Sequence, residues 1–147
     1  MSCIRFTTPA QRAQMRAMAP AMVTAEDAKA LHPAPSITES KIRRLRLLAR
    51  SPNPKIRESV GSSYHTPDDV FFDLAHDPDP SVRSCVARNE HAPCDVLREL
   101  AHDTSEQVRG WVALNYFVPD DAMADLARDP SPTVLGLVAW KSSLATT

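Results

Sequence analysis

Positively charged side chains are the densest chemical feature of this chain. Between positions 41 and 57 there are seven lysines and arginines and no acid. Such a run is usually a solvated helix face, but it can also form an electrostatic patch for nucleic acid or for an acidic protein surface. The stretch is therefore the first candidate binding site, and its members are Lys41, Arg43, Arg44, Arg46, Arg50 and Lys55, followed by Arg57.

The net charge of −1 is unevenly distributed along the chain. Residues 1–57 hold eleven basic and three acidic side chains, whereas residues 58–147 hold six basic and fifteen acidic ones. This strong dipole favours head-to-tail self-association, which need not close into a ring. Because the acidic remainder would repel phosphate, a protein partner is favoured over nucleic acid.

Arginine and aspartate recur at a constant spacing further along the chain. Three arginines lie 26 residues apart, and so do three aspartates: Arg57, Arg83 and Arg109; Asp77, Asp103 and Asp129. The arginines could bind phosphates or carboxylates of a ligand, or each could pair with an aspartate between layers of the fold. Structural pairing is favoured, because Leu135 replaces the arginine in the last copy, which has no following neighbour.

Histidines and cysteines, the usual metal ligands, are present without a metal-binding spacing. His76 and His102 occupy equivalent positions, where Arg50 and Arg128 stand in other copies. A position that accepts His or Arg is typical of a cation at the C-terminus of a helix. The three cysteines lack a C-x-x-C spacing. We therefore expect neither a disulfide scaffold nor a metal site, and a reducing compartment, the cytoplasm, is favoured.

Aromatic side chains give one more candidate. Tyr64 and Tyr116 occupy equivalent positions just after a predicted helix, and the residue at this position varies between copies. Variation of this kind is typical of an exposed binding face, so both tyrosines are candidate binding residues. Cys85 and Trp111 share another position, on the partly apolar stripe of a helix, where core packing is expected.

Motifs of known catalytic chemistry are not found in the sequence. There is no Gly-rich phosphate loop, no G-x-S-x-G and no H-E-x-x-H. No apolar stretch approaches the roughly 18 residues that a membrane span needs. We therefore expect a protein that is not an enzyme, uses no cofactor and has no membrane partner.

All of these residues are positioned by an internal repeat of 26 residues. The pair Leu-Ala recurs at that interval, beginning at positions 48, 74, 100 and 126. Two apolar positions recur in phase with it: Ile56, Val82, Val108 and Val134; Val60, Val86, Val112 and Val138. Chance does not align so many positions, so the repeat must be structural.

Each repeat unit predicts two short helices. The first begins with a proline at its first helical position: Pro67, Pro93 and Pro119. The second follows a residue of a type that caps helix N-termini: Asn53, Asp79, Ser105 and Ser131. Asn89 and Asn115 come after the second helix, where a left-handed C-cap is expected. Helices this short are marginal alone in water, so neighbouring units must hold them.

The predicted fold is all-α, a helical solenoid of two-helix repeats over residues 36–147. Its units start near positions 48, 74, 100 and 126. Ser36 and Glu39 form a capping box at the start of a helix from about 37 to 50. We expect residues 1–35 to form an atypical N-terminal helical cap that covers the end of the solenoid, because solenoids need polar ends. The whole chain is expected to form one structural domain.

The unit from Leu74 to Pro93, L-A-x-D-P-D-P-x-V-R-x-x-V-A-x-N-x-x-x-P, resembles the leucine-rich repeat variant family. The resemblance covers residues 46–141 or thereabouts and implies a right-handed superhelix of alternating α- and 3₁₀-helices. The founding type of that family carries an iron–sulfur cluster on an N-terminal cysteine cluster. This chain has only Cys3 in that region. One thiolate cannot replace the usual four ligands, so no cluster is expected.

Repeat architecture and the lack of catalytic motifs together favour one class of function. We expect a non-catalytic protein–protein interaction scaffold of the leucine-rich repeat variant type, with an unidentified protein partner. The alternative is a nucleic-acid-binding helical-repeat protein that uses the basic segment 41–57.

Overall fold

The structure, a computed structural model, describes residues 37–144. The described residues belong to one compact unit of the chain, Ile37–Thr147. The N-terminal helical cap predicted for residues 1–35 and Ser36 of the predicted capping box lie outside the described residues.

Within residues 37–144 the protein is all-α, as predicted, with eight helices and no strand. The helices are α1 (Glu39–Leu48), α2 (Pro54–Gly61), α3 (Asp68–Ala75), α4 (Pro80–Arg88), α5 (Cys94–Leu100), α6 (Glu106–Leu114), α7 (Asp120–Leu126) and α8 (Pro132–Leu144). None of these helices is both long and apolar enough to cross a membrane.

Short polar side chains fix where several helices begin. The hydroxyl of Thr38 accepts from the Lys41 N–H, so α1 begins at Glu39 rather than at the predicted position 37. Asn53 and Asp79 cap α2 and α4 by accepting main-chain N–H groups at 2.9 and 2.8 Å. Both caps are as predicted, and they satisfy donors that the first helical turn leaves without a partner.

The three prolines of the first helices precede the helix rather than beginning it, one helix position earlier than predicted. Pro67, Pro93 and Pro119 are N-cap residues with ψ of 154°, 145° and 148°, not the first residues of α3, α5 and α7. The φ that the pyrrolidine ring fixes suits extended backbone as well as helix, and an N-cap residue is extended. The proline thus ends the preceding turn and leaves the acidic residues to form the first helical turn.

The prediction that Asn89 and Asn115 are left-handed caps is wrong. Their φ and ψ are −74° and 125°, and −61° and 132°. No residue over the described part of the chain has a positive φ. The reason for asparagine at these positions is instead the hydrogen bonding of its side-chain amide, described below.

The helices lie in two rows. The second helices of the units, α2, α4, α6 and α8, pack on one another in chain order, and the first helices α3, α5 and α7 do the same. Four valines between the second helices are completely buried: Val82, Val86, Val108 and Val112. Burial of each such side chain contributes about 1.5–3 kcal/mol. Contacts between the two rows, and between successive units along each row, therefore stabilise helices that are too short to persist alone.

The alternating 3₁₀-helices that the family resemblance implies are not seen among the described residues. All eight helices are α, including the first helix of each unit. Their first turns close with bonds to the carbonyl four residues earlier, as from Phe71 to Pro67, Leu97 to Pro93 and Met123 to Pro119. Runs of seven or eight residues also exceed the usual length of a 3₁₀-helix.

Candidate functional site

An arginine–aspartate ladder joins successive units. Arg57 Nε donates to Asp77 Oδ2 at 2.6 Å, and the same bond recurs between Arg83 and Asp103 at 2.7 Å. The third rung joins Arg109 to Asp129 at 2.6 Å. In each rung a second guanidinium nitrogen donates to the other carboxylate oxygen, so the contact is bidentate. This geometry holds the planar guanidinium in one orientation.

Each rung also satisfies main-chain groups. Arg83 Nη1 donates to the carbonyl of Asp77 at 2.7 Å, and Asp103 Oδ1 accepts from the Ser105 N–H at 2.7 Å. The Arg83 and Asp103 side chains are only 13% and 7% exposed. Each guanidinium nitrogen of Arg83 thus donates inside the fold, and Arg57 and Arg109 repeat the pattern, so these side chains are engaged within the protein.

The ladder lowers the pKa of its carboxyl groups. Burial alone raises the pKa of Asp103, but hydrogen bonds from Arg83 and the Ser105 N–H, with the charges of Arg83 and Arg109, bring it below the ordinary 3.8. For Asp129 the hydrogen bond from Arg109 is the largest cause, and it too lowers the pKa. The carboxylates are therefore ionised at neutral pH despite their burial.

A second ladder is built from asparagine amides. Asn89 Nδ2 donates to the carbonyls of Gly61 and Ser63 at 2.8 and 3.0 Å. Asn115 Nδ2 donates at the same two distances to the carbonyls of Ala87 and Asn89. Both amides therefore bind carbonyls 28 and 26 residues earlier in the chain, with matching bond lengths.

Lys141 takes the asparagine position in the last layer. Its ammonium donates to the carbonyl of Ala113 at 3.0 Å and also to the carbonyl of Asn115. Burial lowers the pKa of Lys141. The lysine thus continues the amide ladder with a charged group that reaches the two equivalent carbonyls, 28 and 26 residues earlier.

The basic segment 41–57 does not form one continuous patch of unengaged cations. Arg46 pairs with Asp69 at 2.8 Å, and Lys55 pairs with Glu58 at 2.9 Å. Arg57 belongs to the arginine–aspartate ladder. The other four cations make no ion pair with another described residue: Lys41, Arg43, Arg44 and Arg50.

Two of the remaining cations of this segment line a hollow on α1. Lys41 and Arg44 line a cavity of about 510 Å³ together with Leu45 and Leu48. Arg43 and Arg50 are exposed. The hollow is therefore half apolar, which is unlike a surface made for phosphate alone.

The two equivalent histidines lie on the exposed side of the first helices. His76 caps the C-terminus of α3, where its Nδ1 donates to the Phe72 carbonyl at 2.8 Å. Its Nε2 lies 2.6 Å from Glu99, and His102 Nε2 lies 3.3 Å from Asp125. The bond to the Phe72 carbonyl, and then the charge of Glu99, raise the pKa of His76.

Two small pockets lie at equivalent positions one unit apart. The first, of about 270 Å³, lies between the ends of α2 and α4, and the second, of about 200 Å³, lies between the ends of α4 and α6. Adding 26 to six of the first pocket's positions gives all six positions that line the second. We call them together the twin-pocket groove, defined by Tyr64, Cys85, Arg88, Glu90, Trp111 and Tyr116.

Aromatic rings form the walls of this groove. Tyr64 and Tyr116 are 67% and 79% exposed, as the sequence analysis expects of binding residues. The Tyr64 ring lies edge-on to His91, with centroids 4.0 Å apart. Trp111 is half-buried, and the guanidinium carbon of Arg88 lies 5.2 Å from its ring centre, a cation–π distance.

Sequence reasoning assigned Cys85 and Trp111 to the core, whereas the structure places both at its edge. They are half-buried and line the first and the second pocket respectively. Arg88, which lines both pockets, was not among the candidate residues. The signal that could have found these three is the variability of their positions, which contrasts with the valines repeated at 60, 86, 112 and 138.

Within residues 37–144 no group of three or more histidine, cysteine or acidic side chains is placed to hold a metal ion. In comparisons with known proteins, no family model matches the chain. Neither a curated protein nor a solved structure matches it significantly.

Proposed function

We propose that this chain is a non-catalytic protein-interaction module. In this proposal it is a right-handed helical solenoid of the leucine-rich repeat variant type, built from 26-residue units. It binds an extended segment of a protein partner in the twin-pocket groove. The observation that carries the proposal is the pair of equivalent pockets at the same place in successive layers.

The size of the pockets favours side chains over a small-molecule ligand. Volumes of about 270 and 200 Å³ are below the range of roughly 300–1,000 Å³ that is usual for small-molecule sites. Two such pockets in a row suit two side chains of one partner chain. The pockets would then read the partner at two points, one for each layer.

The residue types of the groove are those that contribute most to protein interfaces. Tyrosine, tryptophan and arginine are enriched among residues whose truncation weakens binding. Tyr64, Trp111, Tyr116 and Arg88 supply all three types. The chain has two tyrosines and two tryptophans in all. Three of these four aromatic residues, Tyr64, Trp111 and Tyr116, line the groove.

The asparagine ladder orders the groove before binding. Asn89 and Asn115 line the two pockets and fix each to the preceding layer through buried amide bonds. A site that is already ordered loses less conformational entropy when a partner binds. This stiffness favours recognition of a flexible partner segment.

The nucleic-acid alternative has less support from the geometry. Arg46, Lys55 and Arg57 are engaged with acids of the chain itself. Head-to-tail self-association stays a prediction from the charge distribution. The proposed location is the cytoplasm, since Cys85 and Cys94 are unpaired thiols, as suits a reducing compartment.

Site-specific photo-crosslinking in a host lysate tests the proposal. A photoreactive phenylalanine analogue replaces Tyr116 in the groove or, as a matched control, Phe72, which is exposed on α3. We expect discrete cross-linked protein bands at position 116 and none of the same size at position 72. A cross-linked dimer of the chain would identify a second copy as the partner. Identical band patterns at the two positions, or no band at 116, would refute a groove-specific protein partner.

A further inference from the structure

We propose that the twin-pocket groove binds a cationic, proline-rich segment in the polyproline II conformation. One proline occupies each pocket, and a lysine or arginine between them faces Glu90. This inference rests on the proposed function and narrows it to one ligand chemistry. It is carried by the spacing, the walls and the charge of the groove.

The spacing of the pockets matches the pitch of a polyproline II helix. The pockets lie on successive helices of one row, and packed helix axes are roughly 8–10 Å apart. A polyproline II helix rises about 3.1 Å per residue with three residues per turn, so residues i and i+3 lie on one side about 9 Å apart. In an extended β-strand residues i and i+3 point to opposite faces, because the side-chain period is two. A segment with proline at every third position therefore places one ring in each pocket.

The walls of the pockets suit the pyrrolidine ring. Tyr64 and the half-buried Cys85 line the first pocket, and Trp111, Leu114 and Tyr116 line the second. Flat aromatic surfaces of this kind form the grooves that recognise proline-rich segments, whose low conformational entropy reduces the cost of binding. The tyrosine hydroxyls and the indole N–H can also donate to the carbonyls that a polyproline II chain leaves exposed.

The acidic surroundings of the groove favour a basic segment, since the two charged residues that both pockets share, Glu90 and Arg88, are of opposite sign. Glu90 lines both pockets, is exposed and makes no ion pair with another described residue. Arg88, the other residue shared by both pockets, lies over the Trp111 ring. Residues 58–144 hold fifteen acids against six basic residues, so the surrounding field also attracts cations. A single-stranded nucleic acid, which could stack on the same rings, is repelled by this field.

Fluorescence anisotropy with defined peptides tests the inference. The probe is a labelled dodecapeptide of repeating Pro-Ala-Lys. We expect it to bind the full chain with a Kd of about 10–100 μM, in the range of weak peptide interactions. A peptide of the same composition, in which no two prolines are three residues apart, should bind at least about tenfold more weakly. A repeating Pro-Ala-Glu peptide should not bind.

Variants of the exposed groove residues locate the site. Tyr116→Ala and Glu90→Lys should each raise the Kd at least about tenfold, whereas Phe72→Ala on α3 should leave it unchanged. Because Trp111 packs against the core, it is left unchanged in these variants. Thermal unfolding of each variant shows that a lost signal is not lost structure.

Three results would overturn this inference. They are equal binding of the respaced peptide, tighter binding of labelled oligo(dT) than of Pro-Ala-Lys, and unchanged binding by both Tyr116→Ala and Glu90→Lys. If position 116 cross-links a protein in lysate while the Pro-Ala-Lys peptide does not bind, the polyproline ligand is wrong and the proposed function stands. If neither experiment gives a signal, both proposals fail.

Discussion

Substitution of Arg83 by methionine is the most direct test of the arginine–aspartate ladder. The change removes two bonds to Asp103, at 2.7 and 2.9 Å, and one to the Asp77 carbonyl at 2.7 Å. Methionine keeps the unbranched stem and its apolar packing, so mainly the charged head is lost. The experiment therefore isolates the guanidinium from the packing of its side chain.

Burial sets the size of the expected effect. Asp103 is 7% exposed and would keep only its bond from the Ser105 N–H. Removal of one partner from a buried ion pair costs about 3–5 kcal/mol. Because the surviving bond satisfies part of the carboxylate, we expect the lower end, a loss of about 3 kcal/mol in the free energy of unfolding.

Arg98 provides a matched control in the same protein. It also contacts two acceptors, Asp95 and Asp121, each at 2.7 Å, but its side chain is 45% exposed. Exposed ion pairs are screened by water and salt, so Arg98→Met should cause no loss that equilibrium unfolding resolves. Urea denaturation at pH 7, followed by circular dichroism at 222 nm, measures both variants. If Arg98→Met destabilises the protein as much as Arg83→Met, burial is not what gives the ladder its strength.

Three further predictions concern the asparagine ladder, two glycines and the acid side of the arginine–aspartate ladder. Asn115→Ala should lower the free energy of unfolding, measured by urea denaturation, by about 2–3 kcal/mol, because it leaves two buried carbonyls without their donor. Asn115→Gly should lower it by no less. If glycine instead preserved the stability, the interpretation of Asn115 as a left-handed cap would be supported after all. Gly136→Ala should stabilise α8 by about 0.5–1 kcal/mol, since an added Cβ meets nothing within 4 Å. Gly61→Ala should stabilise less than Gly136→Ala, because its Cβ would lie 3.3 Å from that of Cys85, which must then shift; equal shifts in Tm for the two glycine variants would contradict this. Finally, the pKa of Asp103 lies below 3.8 in the folded protein. The contribution of its carboxylate to the free energy of unfolding is therefore present above about pH 4 and is lost as the pH falls through the folded pKa. Between pH 5 and about pH 2 the urea midpoint should fall less in Asp103→Asn than in the parent protein, and equal falls would reject this assignment.

The repeat made much of the fold predictable from the sequence. Asn53 and Asp79 are recognisable as caps because their bonds are local, within two residues of the chain. The arginine and aspartate positions stand out because their phase is constant, and the structure joins them across 20 residues. Local chemistry and constant phase are both readable without coordinates.

Contacts between layers were harder to foresee. Asn115 was interpreted from backbone preference alone, whereas its amide binds carbonyls 26 and 28 residues away. The segment 41–57 looked like a patch because it contains no acid, but Asp69 and Asp77 approach it from the next unit. In the groove, Tyr64 and Tyr116 were predicted, but Arg88 was missed because its role depends on the ring of Trp111 in the following layer.

The direction of the ladder has a consequence for rebuilding the molecule. Each arginine reaches forward to the next unit, from Arg57 to Asp77 and from Arg83 to Asp103. A duplicated copy of residues 74–99, inserted after position 99, would receive an arginine from behind and offer its own to the unit ahead. The lengthened protein would then bury no unmatched charge, and its groove would gain one pocket. Each added unit would in this way provide a pocket for one more side chain of a partner.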